Sequence, residues 1–244
     1  MVLSPKKLEF VVKHFRTLES TMVTAREMAE KGAPEGTVII ADQQTHGRGR
    51  NGRTWESPQG GLYLSLILRP NIQASEAHKL IFLSGVAAAQ ALGELTKRRI
   101  EIKWPNDLIY TGRKIGGLLC EASSLGEEIK FAVLGIGINT NISHFPSEIE
   151  GTATSLLQIT GNEVGNDLVA DGILKEISAR YEGFPHSFPE LLEEWRALSN
   201  TLGRDILLDG EKVKAVDVDQ EGFLIVVDKD GTRRRVVSGR IEYP

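Results

Sequence analysis

From Leu62 to Leu68 the chain reads Leu-Tyr-Leu-Ser-Leu-Ile-Leu, an apolar run that predicts a strand buried on both faces. Upstream, the β-branched segment Thr37-Val38-Ile39-Ile40-Ala41 predicts a second strand, which delivers the chain into Gln43–Trp55. That stretch has no apolar periodicity and is expected to be a long polar loop. Downstream, Ala77, Leu80, Ile81, Ala88, Ala91, Leu92 and Leu95 recur at helical spacing with small residues between them, the mark of a core-packed helix. Residues 99–104 alternate like a strand and stop at Pro105, while Asp107–Tyr110 and Ile115–Leu119 flank a hairpin turn at Thr111-Gly112-Arg113. Another apolar run, Lys130–Ile138, ends in Asn139. Two amphipathic helices follow, one carrying Leu168, Val169, Ile173, Ile177 and Tyr181, the other Leu191, Leu192, Trp195 and Leu198.

After Asn200 the pattern changes. Short strands are expected at Ile206–Leu208, Val213–Val218, Phe223–Val227 and Arg235–Val237, separated by the turn pairs Asp209-Gly210, Glu221-Gly222 and Asp230-Gly231. The fold class read from this is α/β (α+β): a mixed β-sheet backed by helices over residues 1–199, with a small β-barrel over 200–244. The barrel is expected to be a discrete unit.

Composition narrows the function. The formal charge of −4 argues against a generally basic nucleic-acid surface, so any anionic ligand must be held locally. The lone cysteine, Cys120, excludes an intramolecular disulfide and Cys-rich metal spacing, and fits a reducing cytoplasm. It is read as a small buried residue of an apolar strand. The five histidines, His46 among them, show no ligand pairing. The N-terminal Met1-Val2-Leu3-Ser4-Pro5-Lys6-Lys7 lacks the apolar core of a signal peptide, and no apolar run reaches the ~18 residues of a membrane span.

The candidate chemistry concentrates in Gly47-Arg48-Gly49-Arg50-Asn51-Gly52-Arg53-Thr54-Trp55. This stretch formally contains G-x-G-x-x-G, but a dinucleotide fingerprint needs a helix to start at once, and Glu56-Ser57-Pro58-Gln59-Gly60-Gly61 follows instead. No Gly-Lys-Ser/Thr closes it as a phosphate loop. A merely solvated basic loop would leave Trp55 and the alternation of Gly with Arg unexplained. Glycines let a backbone fold closely round a ligand and guanidinium groups grip carboxylate and phosphate oxygens, so the loop suits an anion-rich ligand.

With this loop intact, and with Lys103-Trp104-Pro105-Asn106-Asp107, Lys114-Ile115-Gly116-Gly117-Leu118-Leu119 and Gly135-Ile136-Gly137-Ile138-Asn139 following in order, the sequence resembles the biotin protein ligase family. The resemblance runs from about residue 17 to the C-terminus. It implies a catalytic domain of the class II aminoacyl-tRNA synthetase-like, biotin/lipoyl ligase type with a C-terminal SH3-like barrel. The implied reaction uses ATP and Mg2+ to convert biotin to biotinyl-5'-AMP, then transfers biotin to a lysine of a biotin carboxyl carrier protein.

The resemblance also implies roles. Ser20, Thr21 and Gln44 would meet the ureido ring of biotin, and Gly117, Gly135 and Gly137 would let backbone approach the ligand. Gly47, Arg48 and Arg50 would organise the loop over the biotin carboxylate, with Arg50 clamping the adenylate. Arg50, Arg53, Trp55, Asn106, Lys114 and Asn139 are nucleotide-side residues, with Mg2+ bound to ATP near Asn139 and no direct protein ligand to the metal. Lys103 resembles the family's essential lysine; a fixed ammonium would offset the charge that builds as a carboxylate attacks the α-phosphorus. Ser20-Thr21 reads equally as a helix cap. One departure stands out, since Met22 occupies a position that is usually Asn in the family and cannot make amide hydrogen bonds.

The alternatives are a lipoate or octanoate ligase of related architecture and a non-catalytic biotin-sensing regulator. Only 19 residues precede Ser20, too few for a winged-helix domain with its own core, so no nucleic-acid partner is expected. No membrane partner is expected either, and a homodimer is the expected assembly.

Overall fold

The computed structural model describes residues 8–243. The N-terminal segment Met1–Lys7, which carried the signal-peptide reading, lies outside the described residues. The chain forms β1 (Val11–Leu18), α1 (Thr21–Glu30), β2 (Thr37–Gln44), β3 (Leu62–Leu68), α2 (Lys79–Thr96), β4 (Glu101–Lys103), β5 (Asp107–Tyr110), β6 (Arg113–Leu125), β7 (Glu128–Ile138), α3 (Leu156–Thr160), α4 (Asn166–Tyr181) and α5 (Phe188–Leu198). Five strands follow: β8 (Asp205–Leu208), β9 (Glu211–Val218), β10 (Leu224–Val227), β11 (Arg233–Val236) and β12 (Ile241–Glu242).

The first seven strands form one mixed sheet in the order β1-β2-β3-β7-β6-β5-β4, with only β1 and β2 parallel. All seven residues of β3 are buried, as its unbroken apolar run predicts for a central strand covered on both faces. The β5–β6 hairpin turns on Thr111 and Gly112, both at positive φ (46° and 81°), the geometry that matches the twist of the flanking strands. Strand β1 escaped the sequence pattern because it sits at the sheet edge with nearly every residue exposed or half-exposed, so no core face marks it.

Helix α2 explains its own composition. It is buried along Leu80, Phe82, Leu83, Val86, Ala87, Ala88, Ala89 and Leu92, because sheet covers one side and α4 and α5 the other. Among the described residues no helix is long and apolar enough to cross a membrane.

The C-terminal strands form a separate antiparallel sheet, β11-β10-β9-β8-β12. Its apolar face is not independent of the rest. Ile206, Val213, Ala215, Leu224 and Val226 belong to the same buried cluster as Phe82 of α2 and Phe188 and Trp195 of α5. The backbone of Gly222, in the β9–β10 turn, lies so close to Phe82 that a Cβ there would meet the ring at 2.7 Å. Polar ties reinforce the seam: Trp104 N donates to Thr201 Oγ1 (2.9 Å), Asn200 N to Ile102 O (2.8 Å), and Lys79 Nζ bridges Glu76 and Glu221 at 2.9 and 3.1 Å. The inner face of this sheet thus completes the common core.

The region read as a long polar loop has backbone order of its own. Arg48 and Thr54 form an antiparallel bridge around a 3-10 turn at Arg50–Gly52. Three backbone bonds close it: Gly49 N to Arg53 O (2.7 Å), Arg53 N to Arg50 O (3.2 Å) and Trp55 N to Gly47 O (2.9 Å). Asn51 takes the left-handed conformation at the tip (φ 55°), which Asn tolerates better than most residues. Local backbone bonding of this kind leaves no trace in hydrophobic periodicity.

Candidate active site

A cleft of about 350 Å3 opens beneath this hairpin, lined by the end of β2, by residues 117–119 of β6 and 135–137 of β7, the start of α1 and the residues around β12. At its inner end, helix α1 begins with Ser20 as N-cap in extended conformation, yet the Ser20 hydroxyl caps nothing: Oγ is buried and has no partner. Thr21 is held beside it. Its N and Oγ1 both donate to Gln44 Oε1 (2.8 and 3.1 Å), and Ser65 Oγ donates to Thr21 Oγ1 at 2.8 Å. The Gln44 amide nitrogen donates to Ser57 Oγ (2.8 Å), so the orientation of the whole polar wall is fixed from behind. A buried hydroxyl without a partner costs ~1–3 kcal/mol, and Ser20 sits directly before Thr21 and Met22, which line the cleft.

The floor is made of glycines. Gly117 of β6 and Gly137 of β7 are directly opposed across the strand pair, and Trp55 lies on both. A Cβ on Gly137 would stand 2.7 Å from the Trp55 Nε1, and one on Gly117 would stand 2.9 Å from its Cζ3. The resemblance assigned these two glycines to ligand approach; in the structure they form the slot for the indole. Gly135, one pleat along, is covered by Met22 in the same manner, with its notional Cβ 2.6 Å from the Met22 Sδ. Met22 itself is buried in a small apolar cluster with Ile39, Ile67, Phe131 and Val133.

Cationic groups gather at the other end. Lys103 ends β4 opposite Asp107 of β5, and its ammonium stands 4.4 Å from the centre of the Tyr243 ring. Burial holds the Lys103 pKa below the ordinary lysine value, the nearby Asp107 carboxylate opposing that shift. Lys114 forms an ion pair with Asp107 (2.6 Å) and its Nζ also stands 5.0 Å from the centre of the Trp55 ring. Arg50 Nη1 donates to Asn106 Oδ1 (3.1 Å), while Asn106 Nδ2 donates to Leu118 O (2.7 Å), so this one amide ties the loop to β6. Desolvation lowers the Arg50 pKa from its usual value. Arg48 and Arg53 also line the cleft, making its outer half strongly positive within an acidic chain.

Asn139 stands apart from this group. It lines a second cavity of about 620 Å3 on the far side of Trp55, together with Lys114, Ile142, Phe145, Ile149 and Ala153. Its amide nitrogen donates to the carbonyls of Lys114 (3.4 Å) and Thr154 (3.0 Å), so it holds the loop after β7 in place. Lys114 and Trp55 line both cavities and form their boundary.

Sequence reasoning missed Asp107 as the shared counter-ion of two lysines, although it stood within the Lys-Trp-Pro-Asn-Asp block. It also missed Arg240, Ile241 and Glu242, which close the cleft from the C-terminal sheet and carry no motif.

Comparison with known proteins identifies what such a cleft belongs to. The model of the biotin/lipoate A/B protein ligase family matches residues 14–139, and that of the biotin protein ligase C-terminal domain matches residues 205–243. The chain is 36% identical over 233 residues to the bifunctional ligase/repressor BirA of Bacillus subtilis, covering 92% of this chain and 71% of that protein. It is 31% identical to the biotin--[acetyl-CoA-carboxylase] ligase of Mycobacterium tuberculosis, covering 84% of this chain and 79% of the relative. Among solved structures, the biotin protein ligase from Aquifex aeolicus in complex with biotin and ATP superimposes with a TM-score of 0.82 at 32% identity, covering 95% of this chain and 97% of that one. The chain belongs to the biotin protein ligase family and is a ligase enzyme.

Proposed function

We propose that this ligase joins biotin to ATP as biotinyl-5'-AMP with release of pyrophosphate, then passes the biotinyl group to one lysine of the biotin carboxyl carrier protein of a carboxylase. The observation that carries the proposal is the juxtaposition of an orphan hydroxyl and a fixed polar wall with a cationic junction, and of that junction with a second cavity beyond Trp55. A neutral ring with a polar ureido edge suits Ser20, Thr21 and Gln44. The carboxylate of its side chain then reaches toward Lys103, Lys114 and Arg50, where the α-phosphate of a nucleotide in the second cavity would meet it.

Attack by a carboxylate oxygen on the α-phosphorus forms the mixed anhydride and breaks the bond to pyrophosphate. Two anions must approach, and negative charge grows on the α-phosphate oxygens. Fixed cations offset both, and the loss of one such donor costs about 2.7–4 kcal/mol in comparable sites. Lys114 borders both cavities and so suits the α-phosphate and the biotin carboxylate together. Lys103 lies beside Glu242 and Tyr243, on the side from which an acceptor lysine would enter. Arg50 spans carboxyl and phosphate oxygens with its paired donors. In the second step the acceptor amine attacks the acyl carbon, AMP leaves, and an amide forms.

Mg2+ enters with ATP, as part of the substrate. The described residues offer no cluster of three His, Cys, Asp or Glu side chains for it. Asn139, its amide nitrogen already committed, offers an amide oxygen to the hydrated ion or to the ribose-phosphate. The test is pyrophosphate release by the purified protein with ATP and Mg2+, scored for dependence on biotin against lipoate. Release driven by lipoate as well as by biotin overturns the reading. For the second step, the readout is streptavidin-detectable label on a carrier domain, abolished when its target lysine is replaced by Arg.

A further inference from the structure

We infer that Met22, seated on Gly135, is the residue that selects for an apolar, sulfur-bearing face on the substrate ring; the inference rests on the proposed use of biotin. The inner end of the cleft is chemically two-sided. One side is polar: Thr21 and Gln44 line it, held by hydrogen bonds to each other and to Ser57 and Ser65, and cannot reorient without breaking them. The other side is apolar: Met22 lines the cleft beside Leu119, Gly135 and Ile136 and is 3% exposed.

Thr21 and Met22 are consecutive in the first turn of α1, so the two sides meet at one corner. A bicyclic ring that turns its ureido edge to Ser20 and Gln44 must present its other edge, which carries the thioether, to this apolar side. The Met22 thioether is pressed onto the bare Gly135 backbone, within 2.6 Å of the point a Cβ would occupy, so it cannot retreat in that direction. On its protein side stand Ile39, Ile67, Phe131 and Val133, which offer no hydrogen bond. An oxygen added to the substrate sulfur would be buried there without a partner. Such a group costs enough to lower binding roughly tenfold to a hundredfold. Met is also polarisable and well suited to a second sulfur.

The experiment compares biotin with biotin sulfoxide as substrates for pyrophosphate release, in the wild type, Met22→Gln and Met22→Leu. Gln keeps the length of Met and adds an amide donor; Leu keeps the apolar character and controls for packing. The ratio of kcat/KM for biotin over the sulfoxide is expected to be ~30 or more in the wild type, to fall at least ~5-fold in Met22→Gln, and to stay within about twofold in Met22→Leu. The fall should come mainly through KM for the sulfoxide, which a general loosening of the fold would not single out. A ratio unchanged in Met22→Gln, with biotin still turned over, overturns the assignment of Met22 alone. Absence of biotin-dependent turnover in the wild type overturns the proposed function and the inference with it.

Discussion

Replacing Gly137 by Ala tests the indole slot directly. The added Cβ would stand 2.7 Å from Nε1 and 2.8 Å from Cε2 of Trp55, against ~3.5–4.0 Å for ordinary carbon contact, so the ring must retreat by about 1 Å. Trp55 is only partly buried and can yield toward the cleft, which keeps the folding cost at the low end of the ~1–3 kcal/mol usual for overpacking. The functional cost should be larger. Trp55 walls both cavities, and a displacement of ~1 Å at reacting groups can lower a rate on the order of a hundredfold, or about 2.7 kcal/mol. The assay is kcat/KM for biotin-dependent pyrophosphate release, with KM for biotin and for ATP determined separately. Both should rise, because the boundary serves both sides. In the double variant Gly137→Ala/Trp55→Phe the smaller ring leaves room for the methyl group, so the two losses should be clearly less than additive. Activity of Gly137→Ala within twofold of wild type, or strict additivity in the double variant, would refute the slot.

Three other outcomes are expected. Lys103→Ala should slow single-turnover adenylation about thirtyfold or more; because burial lowers the Lys103 pKa, the wild-type rate should fall with rising pH before the ordinary lysine range, and Lys103→Arg, which stays charged, should abolish that alkaline limb. Arg50→Gly removes the bond to Asn106 Oδ1 and should speed escape of the adenylate about tenfold or more, read as streptavidin-detectable labelling of bystander serum albumin; an unchanged dissociation rate would exclude the clamp. Deletion from Thr201 onward removes the acceptor of Trp104 N and bares Phe82, Phe188 and Trp195, so the shortened chain should lose cooperative melting and near-ultraviolet dichroism; a truncated protein that melts like wild type would contradict the common core.

What could be read beforehand was whatever repeats or carries a motif. Strand β3 and helix α2 announced themselves because burial on both sides leaves an apolar record in the sequence. Three of the four motif blocks bring Arg50, Trp55, Lys103, Asn106 and Lys114 to one cleft. Edge strand β1 was illegible because its residues face solvent, and the ordered hairpin at Arg48–Thr54 because its bonds are backbone to backbone. The position of Arg240–Glu242 at the cleft depends on how two sheets meet, a long-range packing outcome with no local signal. The seating of Trp55 on Gly117 and Gly137 was illegible for a related reason: a glycine marks a close approach without saying which partner approaches.

Helix α2, enclosed by both sheets and by α4 and α5, has a consequence for how the molecule opens. Its amides can exchange with solvent deuterium only when the surrounding layers part together, so the slowest of them should report the free energy of complete unfolding. The amides of Gly49–Arg53 depend on a few local bonds and should exchange through small fluctuations that leave α2 closed. Denaturant should accelerate the first group steeply and the second hardly at all. Local opening of the cover and unfolding of the body are thus separate barriers, so a mutation that adjusts one should leave the other almost unchanged.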